Sequence, residues 1–335
     1  MYEVDFLPVG DEGASGDAIA MRFSAPSGAD AIVIIDAGYK DDGEALVAHV
    51  KQWYGTDHVD LAILTHPDGD HIGGMGEVLR GLDVATLCLH KIGDRGGSSL
   101  PAAEAVEELI DLADKQGTTV VEAFAGDTAF DGALTILGPS EGWYEELVAA
   151  QVEEAPERAA RKATSTTSAL RAAGQRILAA LPLEVPFDDA GGTNPRNNSS
   201  IVTMIDIDDH RMLFTGDAGV PSLERCVDFF ESGGEVWTAP DFVQIPHAGS
   251  RHNASSEFLD RWLGPKGQSV DNPAFVSVAS KAKKHPSPRV VNAYKRRGYR
   301  VYETRGSTTH HSAGASDRGW PPAAQLGPMD ESDED

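Results

Sequence analysis

The segment that most restricts the fold is "VDLAILTHPDGDHIGGM", residues 59–75. Its first part, 59–64, is apolar enough to be a strand buried on both faces. The chain then runs directly into His66, Asp68, Asp70 and His71, with Pro67, Gly69, Gly73, Gly74 and Gly76 among and after them. A buried strand that ends this way places four ionisable groups at the rim of a core. Without a cation such groups repel one another or stay poorly solvated. Imidazole suits zinc, and carboxylate oxygen suits harder ions such as manganese. The glycines let the backbone turn sharply and approach an ion or substrate closely. The pattern points to a metal centre.

The rest of the chain alternates strand and helix patterns. Strand-like runs lie at 3–9, 18–24, 31–35, 59–64, 84–90 and 133–137, and again at 200–206, 210–216, 241–246, 274–279 and 300–304. Helical spacing appears at 43–55, 76–80, 101–116, 221–231, 254–263 and 288–298. Two strand-rich halves with helices between them predict a layered α/β fold. Residues 140–183 are rich in Ala, Glu and Arg and predict a helical insertion, a candidate surface for a protein partner or oligomer. The stretch 307–335 is rich in Gly, Pro and Ala and ends "DESDED", so it predicts a disordered acidic tail after a single domain spanning 1–306.

No apolar run approaches the ~20 residues that span a bilayer. The first ten residues lack the basic-then-apolar order of a signal peptide. Cys88 and Cys226 form neither a disulfide framework nor a paired zinc motif. These features predict a cytoplasmic protein with no membrane partner. The formal net charge of -25 opposes loose binding to nucleic acid or anionic lipid. Yet residues 281–305 carry nine Lys or Arg and one acid. Taken alone, such a run reads as a solvated helix face.

"THPDGDHIGG" resembles the signature of the metallo-β-lactamase fold, usually His-x-His-x-Asp-His. "MLFTGDAG" resembles the strand that ends in a metal-bridging aspartate, here Asp217, and "VQIPHAGS" the late histidine motif, here His247. "NNSSIVTMI", "IPHAGS" and "KHPSPRVVNAYKRRGYRVYET" together are similar to the soluble hydrolase domain of the ComEC competence family. The resemblance implies a four-layer αββα sandwich with two divalent ions, Zn or Mn, at its edge. It implies His66 and Asp68 on one ion, Asp70, His71 and His247 on the other, and Asp217 between them. It also implies a metal-bound hydroxide as nucleophile. Two departures stand out. Asp68 replaces a histidine, and no clear match exists for the histidine that usually precedes the bridging aspartate. Asn198 is a poor substitute, and His90 comes too early. The ion at His66 and Asp68 is therefore expected to be weakly held or harder than zinc.

His285, in the "HPSP" motif, is expected near the site, where a free imidazole can protonate a leaving oxygen. Asp70 is the second expected catalytic group. His252 is a rim candidate. Asp17 and Asp36 read as hairpin-end carboxylates able to support ligand histidines. His49, His58, His210, His310 and His311 read as surface residues. Lys283, Lys284, Arg289 and Asn198 are the expected substrate contacts. The basic run beside "HPSP" favours a phosphodiester, as a short or single-stranded nucleic acid or a nucleotide. A hydrolase of an ester, lactone or thioester is the alternative. A metal-poor binding module is the third reading.

Overall fold

The computed structural model describes residues 1–10, 13–164, 187 and 192–331. Among them are fourteen strands. The first sheet holds β1 (Tyr2–Phe6), β2 (Ala18–Ser24), β3 (Asp30–Ala37), β4 (His58–Ile63), β5 (Asp83–Cys88) and β6 (Thr119–Val121). The second holds β7 (Thr128–Ala129), β8 (Leu134–Gly138), β9 (Val202–Ile207), β10 (His210–Phe214), β11 (Phe242–Gln244), β12 (Pro273–Val276) and β13 (Arg300–Glu303). The last strand, β14 (Thr309–Ala313), returns to the first sheet, whose order is β14-β1-β2-β3-β4-β5-β6. The second sheet runs β13-β12-β11-β10-β9-β8-β7.

The two sheets face each other, and helices cover both outer faces. β3 shows why the strands read as continuous apolar runs. Its Ala31, Val33 and Ile35 enter the core between the sheets, while Ile32, Ile34 and Ala37 enter a second core on the outer face. Alternate residues from Ala31 to Ile35 point to opposite sides, a register shift against Ala18 and Ile19 turns Ala37 outward, and both sides are dry. Between the sheets Phe6 meets Phe214, Phe242 and Phe275, with ring centroids 5.4–6.4 Å apart. Four helices cover the first sheet: α1 (Lys40–His49), α2 (Gly69–Ile72), α3 (Met75–Gly81) and α4 (Pro101–Gln116). α5 (Glu141–Thr164) adds Tyr144, Leu147 and Val148 to the buried residues. The short α6 (Pro195–Asn198) leads into β9. The second sheet is covered by α7 (Val220–Ser232), α8 (Ser256–Leu263) and α9 (Pro288–Arg296), whose apolar faces form the third core. This is the expected four-layer α/β architecture. No helix among the described residues is long and apolar enough to cross a membrane.

Two boundaries differ from expectation or pass out of view. The expected helical insertion begins as α5, while 165–183 lies outside the described residues. The expected disordered tail is corrected: Thr309–Ala313 pairs antiparallel with β1, so the fold continues past 306. Arg318 donates to Glu3 and Asp5, and Lys295 Nζ donates to the Leu326 carbonyl. Composition suggests disorder here because the anchors of this stretch are scattered, with Trp320 on Trp53 and Leu326 and Met329 against the core, and form no apolar periodicity.

Candidate metal centre

The chemistry gathers where strands end. The loop after β4 carries His66 and Asp68, and α2 carries Asp70 and His71. The loop after β10 brings Asp217, and the turn after β11 brings His247. Close packing accounts for the glycines. A Cβ on Gly74 would lie 2.1 Å from the Ala37 carbonyl oxygen, and one on Gly16 would lie 2.0 Å from that of Asp70. His247 itself sits at φ 50°, a conformation unfavourable for a side chain with a Cβ and the kind of strain held at functional turns.

Asp217 is the hub. Its Oδ2 lies 3.7 Å from His66 Nε2 and 3.6 Å from His247 Nε2, and its Oδ1 lies 3.6 Å from His71 Nε2. His66 Nε2 is also 3.6 Å from Asp68 Oδ2. One ligand atom each from His66, His71 and Asp217 falls within 4.8 Å of the others. Donors about 2.0–2.1 Å from a tetrahedral ion lie roughly 3.3 Å apart, so small adjustments would bring these atoms onto one. A second observation agrees: His66 Nε2 is buried and has no hydrogen-bond partner. Such an orphan costs about 1–3 kcal/mol, which a metal bond would offset. The residues fit a divalent ion.

A buried layer orients them. Asp36 accepts hydrogen bonds from His71 Nδ1 at 2.7 Å, from the Thr65 amide at 2.8 Å and from the Thr65 hydroxyl at 2.6 Å. That contact places the ring proton on Nδ1 and leaves Nε2 to face Asp217. Burial opposes charge on His71, but Asp36, Asp217 and Asp17 overcome it and hold its pKa well above the ordinary value. Asp17 accepts from Gln244 Nε2 at 2.8 Å, and Gln244 Oε1 in turn accepts from the Thr215 amide, also at 2.8 Å. Burial, helped by Asp217 and Asp36, pushes the Asp17 carboxyl up to about 6. Burial also works against charge on Asp217, yet His71, His247 and His66 lower its pKa. Asp70 is raised, by burial first and by Asp217.

His66, Asp68, His71, Asp217 and His247 thus lie within a few ångströms of one another, with Asp17 and Asp36 against His71. His285 lies close enough for His247 and Lys284 to act on it. Burial and those two neighbours push its pKa down, and its Nδ1 is buried without a hydrogen-bond partner. Lys283 and Lys284 are exposed, and Arg289 occupies the first turn of α9. Much of the basic run is structural instead. Arg297 is fully buried against Asp260, and Arg296 pairs with Glu331.

Several expectations change. Asn198 does not face the centre: its Oδ1 accepts from the Gly219 amide at 3.1 Å and its Nδ2 donates to the Thr193 carbonyl at 3.0 Å. Its neighbour Asn197 reaches in, donating to Asp217 Oδ2 at 3.1 Å. Adjacent residues on a helical turn point ~100° apart, so the "NN" pair alone does not say which one faces inward. Arg196 is a further residue that no sequence signal marks; its Nε lies 2.6 Å from Asp68 Oδ1. His90 is buried, with Nε2 2.9 Å from the Ala123 carbonyl and its ring stacked on Phe124. Burial drives its pKa down to about 4. His252 contributes its backbone carbonyl to the Thr193 hydroxyl. His49 is not a surface residue, and His310 is only partly exposed; both contact Asp5.

Residues 25–147 match the metallo-beta-lactamase superfamily. Among solved structures, a Thermotoga maritima protein assigned as a metallo-beta-lactamase aligns at 12% identity and TM-score 0.37, over 72% of this chain and 94% of that one. A Cronobacter sakazakii metallo-beta-lactamase with a HARLDQ motif aligns at 10% identity and TM-score 0.35, over 71% and 77%. A metallo-beta-lactamase from Hirschia baltica aligns at 14% identity and TM-score 0.32, over 73% and 84%. None of the curated proteins matches the chain. The likeness to the metallo-beta-lactamase superfamily covers residues 25–147, and the two sheets with outer helices form a four-layer α/β fold of the kind expected for it.

Proposed function

We propose that the metallo-beta-lactamase superfamily domain here is a metal-dependent phosphodiesterase or nuclease, acting on a nucleotide or on short or single-stranded nucleic acid. The observation that supports this reading best is the neighbourhood of cations and ligands. His66, His71, Asp217 and His247 gather at one point, with Arg196 on one side and Lys284 beside His285 on the other. A divalent ion bound by them would act as a Lewis acid on a phosphoryl oxygen. On this reading Asp70 would orient an attacking water, and His285 would donate a proton toward the leaving oxygen. Arg305 Nη2 donates to the His285 carbonyl at 3.0 Å and steadies that loop. A groove lined by Tyr39, Lys40 and Ser280 offers room for the remainder of the substrate. The Gly74 amide, just after α2, donates to the Gly38 carbonyl beside Tyr39 at 2.9 Å, so the groove adjoins the segment that carries Asp70 and His71. A cytoplasmic setting belongs to the same proposal, supported by two buried, unpaired cysteines.

The test is a panel of phosphodiesters, esters, lactones and thioesters assayed with Zn²⁺, Mn²⁺ and Mg²⁺. Phosphodiesters are expected to dominate, with Mn²⁺ at least as activating as Zn²⁺, because the Asp217 carboxylate among the candidate ligands tolerates a harder ion. Turnover of uncharged esters alone would transfer the assignment to a general metallo-hydrolase. The exposed lysines give a sharper check. Reversing Lys283 and Lys284 to Glu is expected to weaken a phosphodiester substrate strongly and to flatten its salt dependence. An uncharged ester should hardly notice, and thermal stability should change little, because exposed charges contribute ~0–1 kcal/mol each. The measurement is activity against salt concentration for both substrate types. Equal effects on the two would remove the phosphodiester from the reading.

A further inference from the structure

A second ion beside His66 would need Asp68, and Asp68 already has a cation. Arg196 Nε stands 2.6 Å from its Oδ1. Two further polar groups beside His66 are also committed. The Asn197 amide donates to Asp217 Oδ2, and His90 is turned toward the Ala123 carbonyl and stacked on Phe124. Among the described residues, the single compact donor set that includes His66 is the one with His71 and Asp217. Arg196 is held on α6, directly before Asn197, and its side chain keeps 34% of its surface open to solvent. The contact is an ion pair and not a hydrogen bond, for Nε is buried without a hydrogen-bond partner, and a planar guanidinium beside one carboxylate on a partly open side chain is suited to gripping a phosphate.

We propose that Arg196 is the second cation of this centre. One divalent ion binds at His66, His71 and Asp217, and Arg196, anchored on Asp68, holds the phosphoryl oxygen that another ion would otherwise take. The metal count stands independently of the substrate, whereas the phosphate grip rests on the phosphodiesterase reading above.

The experiment uses full-length protein stripped by a chelator, reloaded with excess Mn²⁺ or Zn²⁺ and desalted. Elemental analysis then gives the bound metal, and calorimetric titration gives the affinity for inorganic phosphate. Wild type is expected to retain about one equivalent. Arg196→Ala is expected to gain a second, weaker equivalent as Asp68 is freed, and to bind phosphate roughly tenfold or more weakly when loaded with one, the scale of a lost charged hydrogen bond. Arg196→Lys keeps the charge without the fork, and should hold one equivalent with intermediate phosphate affinity. Both substitutions leave the Arg196 carbonyl, which caps Ser199, in place. If Arg196→Ala does not fold, Arg196→Gln carries the same expectation. Two tightly held equivalents in wild type would overturn the proposal. So would one equivalent in wild type and Arg196→Ala with equal phosphate affinity. Correct stoichiometry without any phosphodiester turnover would instead count against the proposed function and leave the metal count standing.

Discussion

Asp217→Ala is expected to lose at least roughly a hundredfold in hydrolytic rate, the scale of removing a group that organises charge in a reaction centre. The side chain touches three imidazoles, yet the fold does not depend on it. The Asp217 amide donates to the Ser200 hydroxyl, and its carbonyl accepts from Asn253 Nδ2. Those backbone contacts survive the truncation, so the circular dichroism spectrum and melting curve should remain those of a folded protein. Bound metal measured on the same sample should fall below one equivalent. Near-full activity on a phosphodiester would remove Asp217 from the centre and with it the metal reading.

Asp5→Ala is expected to cost about 3–5 kcal/mol of stability, the range for stranding a buried charge by deleting its partner. Asp5 is fully buried and accepts from His310 Nδ1 at 2.6 Å, the Tyr54 hydroxyl at 2.7 Å, His49 Nε2 at 3.0 Å and Arg318 Nη1 at 3.0 Å. Burial alone would raise its pKa. The two histidines and Arg318 overcome that and hold it far below the ordinary carboxylate value. The sign follows: a carboxylate whose pKa is depressed in the folded state contributes stability above its unfolded pKa, near ~3.9. That contribution is lost as pH falls below this value toward the folded one. Melting temperature should therefore drop between about pH 5 and pH 2 in wild type. The drop should be smaller in Asp5→Asn, which cannot titrate. A melting temperature for Asp5→Ala within a degree or two of wild type would show that this cluster contributes little.

Legibility in the sequence follows the kind of signal. β3 and β4 are readable because dry faces on both sides demand apolar residues throughout. His66, Asp68, Asp70 and His71 are readable because four ionisable groups crowded after such a strand repel one another unless an ion joins them. Asp217 and His247 need the resemblance, since a lone Asp or His at a strand end has many bland uses. Asn197 and Arg196 are not legible: facing direction on a four-residue helix depends on where α6 docks, which no local pattern encodes. The histidines around Asp5 escape for a related reason. His49 and His310 lie far apart in sequence and become neighbours only when β14 joins the first sheet. Arg297 reads as part of a solvated run, yet it is buried, because its partner Asp260 lies on a different helix.

β14 has one more consequence. It covers the outer side of β1, whose residues Tyr2 to Phe6 are all buried. A chain shortened to residue 306 would expose that strand as an open edge with unpaired N–H and C=O groups, a template for pairing with another chain. Such a protein would keep every residue of the metal centre and still be expected to self-associate through β1, and size-exclusion profiles at rising concentration would show it. β14 is itself an edge strand, but its Thr-His-His-Ser sequence presents polar side chains there in place of the wholly buried β1.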